Sequence, residues 1–314
     1  EGTVKANRQS LSEWVRTFEE PWVGGMEATL FTGWIYDFLK PHAEQLKVAH
    51  PLMLRAIAAS KKKNDKIDAS KIADCLRADL LPECYMAPAE IREMRRELRF
   101  RNLLVGEAVK MKNKISGVLM EVGAEHEKQR LHSKKYFNEL LGTLDSEIAP
   151  ESVKRMLKIS RGHLEAFTAG QKSLVNHLKS DFRLSDRIAR LQSIRGVGEV
   201  LALTWALEVG DPERFSSVGH ALSYCGLTNA QSESGGVNKR MPISKQRNKH
   251  LQKILIEAAK VAPQWNPQLK VVHEREIARG NRNRATLAVA RKLVAYLLAV
   301  DKSGKDFEVR DMNK

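Results

Sequence analysis

Cysteine is scarce in this chain. Its three cysteines, Cys75, Cys84 and Cys225, are odd in number and far apart, so they form neither a disulfide framework nor a thiolate metal site, as expected of a reducing cytoplasm. The nine histidines include no pair at ligand spacing, which argues against a zinc enzyme. Long apolar runs are missing too. The longest are as short as Leu297 to Val300, far from the ~20 residues of a membrane span. No cationic stretch followed by an apolar segment opens the chain, and no secretory leader is expected. Acidic residues are in deficit, 38 Asp and Glu against 53 Lys and Arg, for a net charge of +15. An excess of that size points to a polyanionic partner, nucleic acid or a membrane surface.

What is present is enough for a folded protein. Hydrophobic residues make up 42% of 314, sufficient for a core and for two domains or one large one. Residues 1–86 alternate strand and helix signals. A strand is expected over Pro21 to Glu27, a helix over Thr29 to Leu39, a second strand over Gln45 to Ala49, and a helix over Asp68 to Leu80. That order implies an α/β unit with some parallel pairing. From Pro88 the period changes. Ile91, Met94, Leu98, Arg101, Val105, Ala108, Lys112, Ile115, Leu119 and Val122 follow 3-and-4 spacing, and Val153, Leu157, Leu164, Phe167, Leu174 and Leu178 repeat the pattern. Residues 87–187 thus read as two long antiparallel helices of coiled-coil type, turning at Gly142 to Pro150, or as an ordinary helical bundle. Residues 188–302 read as a compact helical domain with a polar loop from Thr228 to Ile243, and 303–314 as a frayed tail.

Four groups of residues could carry chemistry. Glu27 closes the first strand, and Asp65 and Asp68 stand three apart, on one face if Asp65 opens the helix. Converging carboxylates suit Mg²⁺, although Asp-x-x-Asp equally describes a capped helix start with acids at the dipole. Ser232 and Ser234 lie before Gly235-Gly236 and a basic run with Lys239, Arg240, Lys245, Arg247, Lys249 and Lys253, and no acid falls between Gly235 and Ile256. A serine attacking phosphorus needs such cations nearby. The same residues could form a solvated turn beside phosphate-contacting lysines. Gly196 and Gly198 form a tight turn into a helix, either phosphate-binding or merely a packing turn. Arg282 and Arg284 belong to a second cationic stripe, which is either an anion surface or a solvated face.

The order of these motifs adds specificity. Gly25-Met26-Glu27-Ala28-Thr29, then Asn64-Asp65-Lys66-Ile67-Asp68-Ala69, a helical spacer, Ile194-Arg195-Gly196-Val197-Gly198, Cys225-Gly226-Leu227-Thr228, Ser234-Gly235 and Ile243-Ser244-Lys245-Gln246-Arg247-Asn248 together resemble the insertion sequence 110-type transposases, the DEDD/serine, bridge-RNA-guided recombinases. The resemblance spans nearly the whole chain. It implies a RuvC-like, ribonuclease-H-type first domain whose four acids bind Mg²⁺, with Glu27, Asp65 and Asp68 matching the last three. It also implies a dimerising coiled-coil spacer, and a helical last domain in which Ser234, rather than Ser232, attacks DNA at a site shared between protomers. Arg240 and Arg247 would clamp phosphate, and Gly196, Gly198, Lys239, Lys245, Lys249, Arg282 and Arg284 would contact nucleic acid. Donor and target DNA, a structured noncoding RNA and further copies of the chain are the implied partners. The family's first Asp has no counterpart here, and the expectation is a lost opening strand. Gln246-Arg247 also departs from the small residue usual before the Asn.

Overall fold

The computed structural model describes residues 2–57, 64–234, 237–243 and 245–309, with the side chains of all of these but 230–242. The chain forms two compact units, 1–92 and 93–314. No helix among the described residues is long and apolar enough to cross a membrane.

The first unit is α/β. Helix α1 (Arg8–Val15) is capped by Asn7, whose side chain accepts from the Ser10 amide at 2.8 Å. Its Trp14 packs with Phe18 and Trp22 in an aromatic cluster with ring centroids 4.9–5.9 Å apart, placing α1 at the mouth of β1 (Val23–Glu27). After α2 (Thr32–Leu39) the chain enters β2 (Gln45–Ala49), which pairs with β1 in parallel from Val23–Gln45 to Glu27–Ala49. Helices α3 (Pro51–Ile57) and α4 (Asp65–Arg77) follow. Asn64 caps α4, accepting from Ile67 N at 2.8 Å, so the helix begins three residues earlier than the sequence pattern suggests and stops at Arg77. Val48 and Ala49 are fully or almost fully buried, and Ile72 and Leu81 pack on the small core around Ala49, Leu54 and Cys75.

The second unit is mostly helical. Helix α5 (Ala89–Glu121) is 33 residues long, and α7 (Glu151–Ser180) is 30. They run antiparallel: Glu97 meets His177 at 2.8 Å, while Gly170 and Gln171 meet Leu104, so the pairing falls by seven as the index rises by seven. The shorter α6 (Lys134–Thr143) lies between them in sequence. Its Phe137 joins Ile115, Leu119, Leu131 and Leu157 in one buried cluster, so the link between the long helices is itself packed rather than a simple turn at 142–150.

Helices α8 (Phe182–Gln192), α9 (Glu199–Val209), α10 (Val218–Tyr224), α11 (Lys249–Val261), α12 (Pro267–Ile277) and α13 (Arg282–Ser303) complete the unit. Helix α9 is buried along its whole length from Leu201 to Val209, which explains why its sequence shows no polar face. The fully buried Trp205 donates its indole N–H to Asp301 at 2.9 Å, and Arg187 closes on the same carboxylate at 2.8 and 2.6 Å. Two expectations are corrected here. Residues 229–243 are not a loop but a hairpin, β3 (Asn229–Ser234) against β4 (Val237–Ile243), with a bulge between Asn229 and Gln231. Nor is the end frayed directly after Asp301: α13 continues to Ser303, Phe307 N donates to Ser193 Oγ at 2.7 Å, and its ring packs on Tyr296.

Candidate catalytic residues and nucleic-acid interface

Glu27 is the last residue of β1 and is half-buried. Its backbone is held from two sides: Thr32 Oγ1 donates to its carbonyl at 3.2 Å, and the next amide, Ala28, donates to Ala49 O at 3.1 Å. Gly25, two residues earlier on the same strand face, has no side chain, and a Cβ there would come within 2.8 Å of Ile72. That close approach seats α4 on the face of β1 that also bears Glu27. Asp68 lies one turn before Ile72 on the same stripe of α4, half-exposed, and Asp65 is the exposed first residue of the helix. Among the described residues these three carboxylates carry no ion pair, and no three acidic, imidazole or thiol groups are gathered closely enough to hold a metal. The donor set nonetheless fits a hard divalent cation: all-oxygen, anionic and open to water, at a helix start and the end of the adjoining strand.

In the second unit, backbone register places Ser234 at the end of β3 opposite Val237, across the two-residue link 235–236. Ser232 pairs with Lys239, and Gln231 with Arg240. Gly235 and Ser244, both part of the motifs above, lie outside the described residues, as do the side chains of Ser232, Ser234, Lys239 and Arg240.

Both feet of the hairpin are tied to the helical core. On the entering side, Arg291 Nε donates to Leu227 O at 2.7 Å and Gln252 Nε2 donates to Gly226 O at 2.6 Å. Gly226 has φ +69°, and the Arg247 side chain lies so close across it that a Cβ would sit 2.4 Å from Arg247 Cβ. The departure at 247 is thus a packing contact in the hairpin base. On the leaving side, Asn248 N donates to Tyr224 O at 2.9 Å, and its side chain caps α11 by accepting from His250 N and Leu251 N.

Sequence reasoning missed the group beneath Asn248. Glu208 is fully buried. It accepts from Arg99 Nε and Nη2, one edge of the guanidinium, at 2.8 Å each and from Asn248 Nδ2 at 2.8 Å, with Arg95 Nε 3.8 Å away. Tyr224 Oη donates to the Glu208 carbonyl at 2.9 Å. Burial pushes the Glu208 carboxyl up, but the Arg99 bonds, Asn248 and Arg95 overcome it and leave it below its ordinary value. Burial lowers Arg95, whereas the Glu208 bond raises Arg99. A signal existed: Glu208 is the only charge between Val200 and Val209, and a lone acid in an apolar helix must be paired.

The remaining predicted contacts divide. Gly196 takes φ +96°, and a Cβ there would lie 2.8 Å from that of Ala262, so close packing explains this glycine. Gly198 is the exposed N-cap of α9. Lys245, Arg247 and Lys249 are exposed around the start of α11. Arg282 and Arg284 are exposed at the start of α13, but the buried Glu276 of α12 pairs with Arg279 at 3.0 Å and Arg284 at 3.7 Å, so part of that stripe is neutralised locally.

Comparison with known proteins bears on both units. A DEDD-type transposase family model of IS110 elements matches residues 2–123, and the model described as Transposase IS116/IS110/IS902 family matches residues 188–274. The transposase for insertion sequence element IS1328 of Yersinia enterocolitica is 26% identical over 310 residues, covering 96% of this chain and 90% of that protein. The transposase for insertion sequence element IS1111A of Coxiella burnetii is 27% identical over 249 residues, 76% of this chain and 66% of its own length. With independent matches in each unit and a relative aligned along almost the entire chain, the protein belongs to the IS116/IS110/IS902 family of insertion-sequence transposases.

Proposed function

We propose that this transposase cuts and rejoins DNA through Ser234, with Glu27, Asp65 and Asp68 holding a divalent cation, Mg²⁺ by the hardness of the donors. The reading takes the first unit as RuvC-like and the antiparallel α5–α7 pair as a coiled-coil dimerisation arm. A structured RNA encoded by the element selects donor and target DNA, and the protein itself grips backbone. Ser234 Oγ attacks the scissile phosphorus. An O–P bond to serine forms, the P–O bond to one deoxyribose breaks, and the leaving oxygen takes up the serine proton. Rejoining reverses the exchange: a sugar hydroxyl attacks the phosphoserine and the serine is released. Arg240 and Arg247 hold the phosphate charge during both steps. Glu27, Asp65 and Asp68 would hold the cation, which would supply neutralisation of phosphate charge when protomers bring the two units together.

The observation that carries this reading is the hairpin. Its register puts Ser234 at the end of β3, in a short ribbon with a cation-rich sequence whose two feet are fixed to buried core. The test is to incubate the protein with Mg²⁺ and a DNA junction, denature it, and look for a protein–DNA adduct that protease removes. The adduct is expected in the wild type and in Ser232→Ala, and lost in Ser234→Ala. Nicked DNA without any adduct would instead identify a metal-dependent junction nuclease in which the serine is inert.

A further inference from the structure

Within the second unit, a cavity of about 560 Å³ opens between α5 and the start of α11, with Thr204 of α9 among its lining residues. That volume is in the range that receives small ligands. Its charge is unbalanced. Arg99 at its edge is consumed by Glu208, and Glu257 by Lys260 at 2.8 Å, but Arg101, Lys249 and Lys253 line the same cavity and form no ion pair among the described residues. Arg101 Nη1 donates to Asn102 Oδ1 at 3.1 Å, while its Nε is buried without a hydrogen-bond partner. A buried charged donor left unpaired is costly, and an incoming acceptor would relieve it.

The neighbouring polar groups are set as donors too. Because Asn102 Oδ1 accepts from Arg101, its Nδ2 faces His250 Nδ1 at 3.2 Å as donor, which makes Nδ1 the acceptor and leaves Nε2–H as the ring's donor. Burial, together with Arg99, Lys249 and Lys253, lowers the His250 pKa in spite of Glu208, so the ring is neutral. The rest of the lining is apolar: Leu103, itself more than half exposed, Val105 and Ile254. Three free cations beside an apolar wall and a few donors match one nucleotide, with an anionic phosphate, a flat apolar face and a hydrogen-bonding edge. A base pair stacked in a duplex cannot offer that face.

We propose that this cavity receives a single unpaired nucleotide of a nucleic-acid strand, its base against Leu103 and Ile254 and its phosphate on Arg101, Lys249 and Lys253. The inference requires only that the protein handles nucleic acid and is independent of the role given to Ser234. The test is equilibrium anisotropy with the full chain and three labelled probes: a twelve-nucleotide oligo-dT, the same length of oligo-U, and a twelve-base-pair duplex. Leu103→Gln, neutral and at an exposed position, should weaken single-strand binding about fivefold, the low end of what one stacked base contributes, and leave the duplex unchanged. Lys249→Gln with Lys253→Gln should flatten the single-strand log-affinity versus log-salt slope by up to about 0.7, the worth of the one phosphate that the two lysines share with Arg101. Tighter binding of oligo-U than oligo-dT assigns the site to RNA, and the reverse order to DNA. Equal loss on duplex and single strand in Leu103→Gln, no loss at all, or an unchanged slope in the lysine variant would overturn the proposal. Unchanged melting temperatures establish that each variant is folded.

Discussion

Asn248 Nδ2 donates to Glu208 Oε2 at 2.8 Å while Asn248 Oδ1 accepts the first free amides of α11. One side chain therefore joins a helix cap to a fully buried carboxylate, at the point where the Ser234 hairpin returns to the core. A plain cap would need only the oxygen; this position uses both ends of the amide.

Asn248→Asp separates these roles. Aspartate is as good a cap as asparagine, but here it would set a second carboxylate beside Glu208. Urea denaturation should show a loss of about 2–4 kcal/mol for both Asn248→Asp and Asn248→Ala, combining the cap or charge conflict with a lost bond to a charged group. An Asp variant as stable as wild type would refute the coupling.

Glu208→Gln should cost roughly 3–5 kcal/mol at pH 7, because Arg99 and Arg95 would keep their charges without a counterion. The folded pKa of Glu208 is depressed, so its stabilisation is complete above the unfolded value of about 4.3 and lost as pH falls through the folded one. Melting curves from pH 7 down to about 2 should show the gap between wild type and Glu208→Gln narrowing only at the acid end. A constant gap would mean the carboxyl is protonated in the folded protein.

Gly196→Ala should destabilise by about 1–3 kcal/mol, since the alanine must keep a left-handed backbone and displace Ala262. Gly198→Ala, with φ −85° and open space around the Cβ, carries no backbone strain and should cost only about 0.5–1 kcal/mol, the N-cap preference for glycine over alanine. Chemical denaturation of the pair decides whether the first glycine of this turn is there for packing. Nucleic-acid affinity measured on the same two variants shows whether the second serves phosphate.

Cys225 is buried and its thiol is pushed up to about 12, chiefly by desolvation. It should resist iodoacetamide at pH 8 in the native protein and react after unfolding. Native labelling at Cys225, located by peptide mass, would mean the α10 end opens readily.

Much of the local structure was legible because it rests on periodicity. The strand at Gln45–Ala49 and the long apolar seams of α5 and α7 follow from spacing alone. The hairpin at 229–243 was not, because Ser, Glu, Asn and Lys dominate it and such residues read as a loop unless pairing partners are known. The tail after Asp301 read as frayed because its anchors, Ser193 and Tyr296, lie outside its own sequence.

Residue order and composition by themselves determined the family, the basic character and the positions of the acids and serines, since motifs, charge and short-range spacing are carried along the chain. Only the tertiary structure decided which charges are spent and which remain available. Glu276 silences part of one arginine stripe, Glu208 occupies Arg99, and Arg101, Lys249 and Lys253 are left facing one cavity. The reason is physical: a charge's strength in water or in a core depends on neighbours far away in sequence, and those distances exist only once the helices have packed.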